Sequence, residues 1–274
     1  MQGIADRVAI ITGGASGIGA GLVRAFVAAG AKVAVADIQD EPARALAAEM
    51  SACCAFVHTD LRSDPDIDRL VVSTAARFGG IDFIINAAAT YADQGVASDR
   101  AAWQNGFDTN LIGHVMLVRR ALEALRRSPW PSVVWFSSES AHVGLTGRWI
   151  YPATKAAIEQ IVRSQALDLA PDRIRVNAVM PGWTEKPWHR TAPPGVKDHY
   201  ATMSNRLHMI GRMGTLNEVA DAVLFLCSEH ASFITGSCLR VDGGHSALGP
   251  QGKDKHSPTD ARRAAGVGFQ ADTT

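Results

Sequence analysis

An apolar run, Val8-Ala-Ile-Ile11, leads directly into Thr12-Gly-Gly-Ala-Ser-Gly-Ile-Gly19, and a helical pattern with Leu22, Val23, Phe26 and Val27 on one face follows. Four consecutive apolar residues suit a strand buried on both faces, the situation of a parallel sheet covered by helices. A parallel neighbour is reached only through a crossover, so the rest of the chain should alternate strand with helix. It does. Strands are predicted at 32–36 (ending at Asp37), 55–57 (closed by Asp60), 81–85 (ending at Asn86), 133–136 (before Ser137-Ser138), 174–179 (stopped by Pro181-Gly182) and 238–242. Helices are predicted over 43–50, 67–78, 103–127 with an interruption near its start, 151–170 and 219–227. The alternation predicts a single α/β domain over residues 1–247, a doubly wound parallel sheet of about seven strands with helices on both faces. Such sheets bind ligands beyond the carboxyl ends of their strands, where Asp37, Asp60, Asn86 and Ser138 fall.

Composition narrows the partners. The chain has 274 residues with no formal net charge, 20% charged residues and 47% hydrophobic ones. That balance argues against nucleic-acid or membrane-surface binding, which call for a basic excess. No apolar run is long enough to span a bilayer. The first residues run straight into a strand and form no targeting peptide, so a cytoplasmic location is expected. Cys53, Cys54, Cys227 and Cys238 lack metal-ligand spacing, as do the histidines, and no metal is expected. Two segments break the alternation. Residues 182–216, rich in Trp, His, Pro and Gly, read as a long functional loop. Residues 248–274 read as a polar tail that is disordered, wraps another subunit or helps close the site.

The glycine loop points to a nucleotide. Gly13, Gly17 and Gly19 permit a tight turn and close approach of backbone to a pyrophosphate, and the helix N-terminus adds N–H groups and positive potential. Ser16 and Ile18 lie within the same loop. Asp37, eighteen residues past Gly19, is placed to accept hydrogen bonds from an adenosine ribose and to repel a 2′-phosphate. No positive counterweight stands in the loop or after the acid, where Ala15, Ser16 and Ile38 are found, so NAD is favoured over NADP. Asp60, flanked by Leu61, reads either as a partner for the adenine amino group or as a turn aspartate.

Tyr151 and Lys155 are four residues apart on a predicted helix and share one face. An ammonium beside a phenol favours phenolate and lowers the tyrosine pKa, suiting it to exchange a proton with an alcohol.

With these residues in order, the chain resembles the short-chain dehydrogenase/reductase family. The resemblance spans roughly residues 6–244 and rests on Thr12-Gly-Gly-Ala-Ser-Gly-Ile-Gly19, Asp60-Leu61, Asn86-Ala-Ala, Asn110, Ser137-Ser138, Tyr151-Pro-Ala-Thr-Lys155, Arg175-Val-Asn-Ala178, Pro181-Gly182, Ile234-Thr-Gly236 and Val241-Asp-Gly-Gly244. It implies a Rossmann-like fold and hydride transfer between NAD and a secondary alcohol or ketone. In this reading Tyr151 is the acid–base group, and Lys155 lowers its pKa and holds the nicotinamide ribose. Ser138 hydrogen-bonds the substrate oxygen, and Asn110 binds a water that links Lys155 to solvent. Asn86, Ala87, Pro181, Gly182 and Thr184 would complete the nucleotide site. Three positions depart from the family pattern: Ala89 replaces a glycine, Lys186 stands where a threonine is usual, and Glu139 follows the catalytic serine where a small residue is usual.

The resemblance builds the substrate pocket from Glu139, His142, Trp149, Trp183 and Trp188, whose aromatics suggest an apolar or cyclic substrate. It also implies a homotetramer, with a homodimer as the simpler case. A ketone reductase using the same residues, and an NAD-binding sensor or scaffold without turnover, are the competing readings.

Overall fold

The structure, a computed structural model, describes residues 2–186, 189 and 191–249. Seven parallel strands form one sheet: β1 (Val8–Thr12), β2 (Lys32–Asp37), β3 (Cys54–His58), β4 (Phe83–Asn86), β5 (Ser132–Phe136), β6 (Arg175–Pro181) and β7 (Cys238–Val241). Their order is β3-β2-β1-β4-β5-β6-β7, so the winding reverses between β1 and β4. A crevice opens at such a reversal, beyond the strand ends. Register aligns those ends: Thr12 faces Ala36 on one side and Asn86 on the other.

Helices cover both faces. They are α1 (Gly17–Ala28), α2 (Asp40–Glu49), α3 (Asp64–Phe78), α4 (Arg100–Phe107), α5 (Gly113–Arg127), α6 (Ile150–Leu169), α7 (Pro194–Leu207) and α8 (Leu216–Cys227). All five residues of β1 are buried, as its unbroken apolar run requires. Leu22, Val23 and Phe26 of α1 pack with Val219, Val223 and Leu226 of α8 against one face. Leu70, Leu117, Val118, Ile158 and Val162 close the other.

One expectation is borne out in detail and one changes. The interruption expected near the start of the helix over 103–127 is a π turn, Asp108–Ile112, between α4 and α5, and it buries Asn110. One extra residue per turn redirects a side chain without breaking the rod, a feature common at functional sites. The loop predicted over 182–216 contains α7, which starts with a proline in its first turn and buries only Ser204. A helix with so narrow a buried stripe has no apolar periodicity to read, although proline at its start is a favourable signal.

Residues 250–274 of the predicted tail lie outside the described residues. Among the described residues, no helix is long and apolar enough to cross a membrane, and no group of three or more His, Cys, Asp or Glu side chains is placed to hold a metal ion.

Candidate active site

A groove of about 1610 Å³ runs along the strand ends. At one end it is lined by Gly13, Ser16, Gly17, Ile18, Gly19, Asp37, Asp60, Leu61 and Ala87. Gly13 has φ +66°, and a Cβ there would lie 2.7 Å from the Ala88 Cα. A Cβ on Gly19 would run into the Gly13 carbonyl. Only glycine permits backbone this close to the opposite loop. Helix α1 begins at Gly17 with no acidic residue in its first turn and no side-chain cap from Ser16. Its first-turn N–H groups therefore face the groove without a side-chain cap.

Asp37 is buried, and its two oxygens accept the backbone N–H groups of Ala15 (2.9 Å) and Gln39 (3.0 Å). The acid thus ties the glycine loop to the end of β2. Asp60 has a turn-forming role: it accepts the Arg62 N–H (2.9 Å) and pairs with the Arg62 guanidinium (2.6 Å), which holds its carboxyl below the usual range. Asn86 is buried at the end of β4, and neither polar atom of its side chain has a partner. A glycine cradle, an open helix end and an unpartnered buried amide fit a dinucleotide.

Ser138, Glu139, Tyr151, Lys155, Pro181, Gly182, Trp183 and Thr184 line the other end. Helix α6 carries Tyr151 and Lys155, and its entry is fixed by Asp93. One Asp93 oxygen accepts the N–H groups of Ile150 (2.7 Å) and Tyr151 (2.9 Å), and the other takes that of Gly95 (3.0 Å). Burial would raise this carboxyl, but the backbone donors outweigh it and hold it low. The negative cap also suits the positive end of the helix.

Ser138 donates its hydroxyl to Glu139 (2.9 Å) and is hydrogen-bonded to Tyr151. Lys155 is buried, 5.4 Å from the centre of the Tyr151 ring, and donates to the Phe136 carbonyl (2.7 Å). Burial brings its pKa down to about 8. Tyr151 departs from the expectation of a lowered pKa: burial, then Tyr91, raises it well above the ordinary phenol value, and Ser138 counteracts only in part. The i, i+4 spacing puts lysine and tyrosine together, but in so buried a place desolvation sets the direction.

Asn110 is fully committed. Its side chain accepts from the Thr90 N–H (2.7 Å) and donates to the Thr90 carbonyl (3.1 Å) and the Thr154 hydroxyl (3.2 Å). It pins the π turn to α6 and to the loop after β4, so only its backbone carbonyl is left for a relay. His114 reaches that carbonyl through Nδ1 (3.3 Å), while Nε2 faces the Thr12 hydroxyl (2.9 Å). Thr12 in turn receives the N–H groups of Ala87 (3.0 Å) and Ala88 (3.1 Å). A neutral imidazole protonated on Nδ1 donates to the Asn110 carbonyl and accepts the Thr12 hydroxyl proton on Nε2, and burial pushes its pKa down to about 3.

Among the expected pocket residues, Glu139 and Trp183 line the groove. Trp149 is exposed and lies outside the lining, and His142 turns away to Glu159 (2.9 Å). Trp188 lies outside the described residues. Thr184 lines the groove but donates its hydroxyl to the Gly182 carbonyl (3.1 Å). Three further residues shape this end. Tyr91 stacks on Tyr151 with ring centres 4.7 Å apart, Arg148 lines the groove beside it, and Asp93 caps α6. No local pattern marks Tyr91, which meets Tyr151 only through the fold. Asp93 stands in an irregular stretch and caps a helix 57 residues away.

Comparison with known proteins agrees with this geometry. The family model described as Enoyl-(Acyl carrier protein) reductase matches residues 13–246. The chain is 35% identical to the cis-4-hydroxycyclohexanecarboxylate dehydrogenase of Sinomonas cyclohexanicum, over 90% of this chain and 99% of that protein. It is 34% identical to a 3-alpha-(or 20-beta)-hydroxysteroid dehydrogenase of Mycobacterium bovis, over 87% and 88%. The L-sorbose reductase of Gluconobacter frateurii, solved with NADPH and L-sorbose, superposes with a TM-score of 0.83 at 28% identity, covering 89% of this chain and 98% of that one. The chain belongs to the short-chain dehydrogenase/reductase family, and it is an oxidoreductase acting on CH–OH groups.

Proposed function

We propose that the protein oxidises a secondary alcohol on an apolar ring with NAD. The observation that carries this reading is the convergence of Ser138, Tyr151 and Lys155 at one end of a groove whose other end holds Asp37 against the glycine loop. A 2′-phosphate would meet this buried acid, and the nearby groove cations are already engaged, Arg24 with Glu49 and Arg62 with Asp60. The curated relatives above are named for cyclic alcohols, which favours a ring substrate.

Gly13, Gly17, Gly19 and Asp37 would hold the adenosine and pyrophosphate, and Lys155, Asn86 and the 181–184 segment the nicotinamide half. Bound there, the nicotinamide supplies the hydride acceptor or donor. The chain's own residues manage the proton. Tyr151 takes the hydroxyl proton during oxidation and returns it during reduction. Ser138 holds the reacting oxygen, exchanging its bond to Glu139 for one to the substrate. Lys155 lies 5.4 Å from the centre of the Tyr151 ring, where its ammonium can hold the nicotinamide ribose. Trp183, its ring centre 5.8 Å from that of Tyr200 and tilted to it by 56°, forms an apolar wall. The proposed assembly is a homotetramer; exposed Leu167 on α6 and fully exposed Phe233 before β7 offer apolar contacts.

The test is nucleotide reduction with a panel of aliphatic, cyclic and steroid secondary alcohols, with NAD and NADP in parallel. Turnover of ring alcohols with NAD is expected. Tyr151→Phe should lower kcat by at least a thousandfold while nucleotide affinity stays within about twofold, the pattern of a lost proton-transfer group. Turnover retained by that variant would remove Tyr151 from the chemistry. A preference for NADP would overturn the role given to Asp37.

A further inference from the structure

Among the described residues, five lysines and arginines line the groove; two are in ion pairs and a third is buried. Arg24 pairs with Glu49 (2.9 Å), Arg62 pairs with Asp60 (2.6 Å), and Lys155 is buried on the Phe136 carbonyl (2.7 Å). The other two, Arg148 and Lys186, arrive from different loops at the same residue. Arg148 donates to the backbone carbonyls of Tyr91 (2.9 Å) and Asp93 (3.3 Å). The Lys186 ammonium lies 5.3 Å from the centre of the Tyr91 ring. Among the described residues, no carboxylate forms an ion pair with either cation. Tyr91 itself stacks on Tyr151, so this positive corner is one ring away from the reacting hydroxyl.

The acid on this side of the groove is at the reacting end. Glu139 accepts the Ser138 hydroxyl, next to the place where the substrate alcohol must sit. The substrate half therefore has a polarity, negative at the reaction centre and positive at the Tyr91 corner. A neutral ring alcohol makes no use of it. A ring alcohol with an anionic group opposite its hydroxyl fits one way round only, because the reversed pose sets its charge against Glu139.

We propose that Lys186, with Arg148 beside it, anchors a carboxylate carried by the substrate ring, so that the preferred substrates are cyclic hydroxy acids. The inference rests on the reading of the site as a ring-alcohol oxidoreductase and adds the charge of the substrate to it. The aromatic face keeps the ammonium in place without neutralising it, and a half-buried cation gives a carboxylate more than a solvated one would.

Two measurements test it. The first compares kcat/KM for 4-hydroxycyclohexanecarboxylate and its methyl ester in the wild type, Lys186→Met and Lys186→Glu. The acid-to-ester ratio should exceed one in the wild type and fall about tenfold in Lys186→Met, equivalent to about 1.4 kcal/mol. It should fall further in Lys186→Glu, chiefly through KM, and the wild-type preference should shrink as salt is raised. The second measures calorimetric binding of cyclohexanecarboxylate and cyclohexanecarboxamide to the NAD-loaded protein, which needs no turnover. Lys186→Met should weaken the carboxylate about tenfold relative to the amide. Absence of turnover with Lys186-dependent carboxylate binding would fault the reaction assignment and leave the anchor standing. Equal ratios and equal relative affinities in the wild type and both variants would overturn the anchor.

Discussion

Tyr151 sits among neighbours that pull its proton in opposite directions. Burial and the Tyr91 hydroxyl keep the phenol protonated, the Glu139 charge adds to this, and Ser138 works against it. Oxidation needs the deprotonated form, so its rate should climb as pH rises. Glu139→Gln removes one charge that disfavours phenolate, and the climb should begin at lower pH in a kcat/KM profile. An unshifted profile would mean that the Glu139 carboxylate does not act on the phenol. His114 gives a second pH effect, on stability. It is neutral in the fold with a pKa of about 3 against an ordinary 6.5, so unfolding takes up a proton between those values. Its contribution is complete above pH 6.5 and is lost as pH falls towards 3. Between pH 7 and pH 5, His114→Gln should lose about 2 kcal/mol less unfolding free energy than the wild type. Urea titrations at the two pH values check this.

At the scale of elements, the catalytic geometry depends on how two helices begin or bend. Helix α6 is started by a carboxylate from a distant loop, and Asp93 binds the backbone N–H of Tyr151 itself. Asp93→Ala should cost about 1–2 kcal/mol of stability, as for a lost N-cap. Its effect on turnover should exceed its effect on nucleotide affinity, because the helix entry carries the proposed acid–base residue. Thermal unfolding and the split between kcat and nucleotide Kd separate the two. The π turn at Asp108–Ile112 plays a matching part for Asn110, which clamps the Thr90 loop to α6.

Across the whole molecule, one buried cation joins sheet and helix layers. Arg175 of β6 donates to the carbonyls of Leu226 (2.6 Å) and Ala231 (3.1 Å) at the end of α8, with Trp130 against its face at 5.3 Å. Helix C-termini favour such a partner, and here it locks α8 to β6, the strand that ends at Pro181. The outer surface carries Phe233 fully exposed. In the proposed tetramer Phe233 lies in a contact, and Phe233→Asp should shift the assembly to a smaller species in light scattering. An unchanged mass would place the contacts elsewhere.

Sequence alone determines the layered architecture. A buried parallel strand must be apolar throughout, and its crossover must be a helix, so β1 through β7 are legible as runs and intervals. The glycine loop and Asp37 are legible from the strand–turn–helix pattern, Tyr151 and Lys155 from their i, i+4 spacing on one helix, and Ser138 through the family resemblance. The rest was decided by tertiary structure, because it depends on groups far apart in the chain. Tyr91 meets Tyr151 across 60 positions, Asp93 caps a helix 57 residues on, and Thr12 reaches His114 across 102. Helix α7 had no periodicity to announce it, since it buries a single residue. Even the direction of the Tyr151 pKa was a tertiary matter, for a lysine four residues away is a local fact while desolvation belongs to the whole fold.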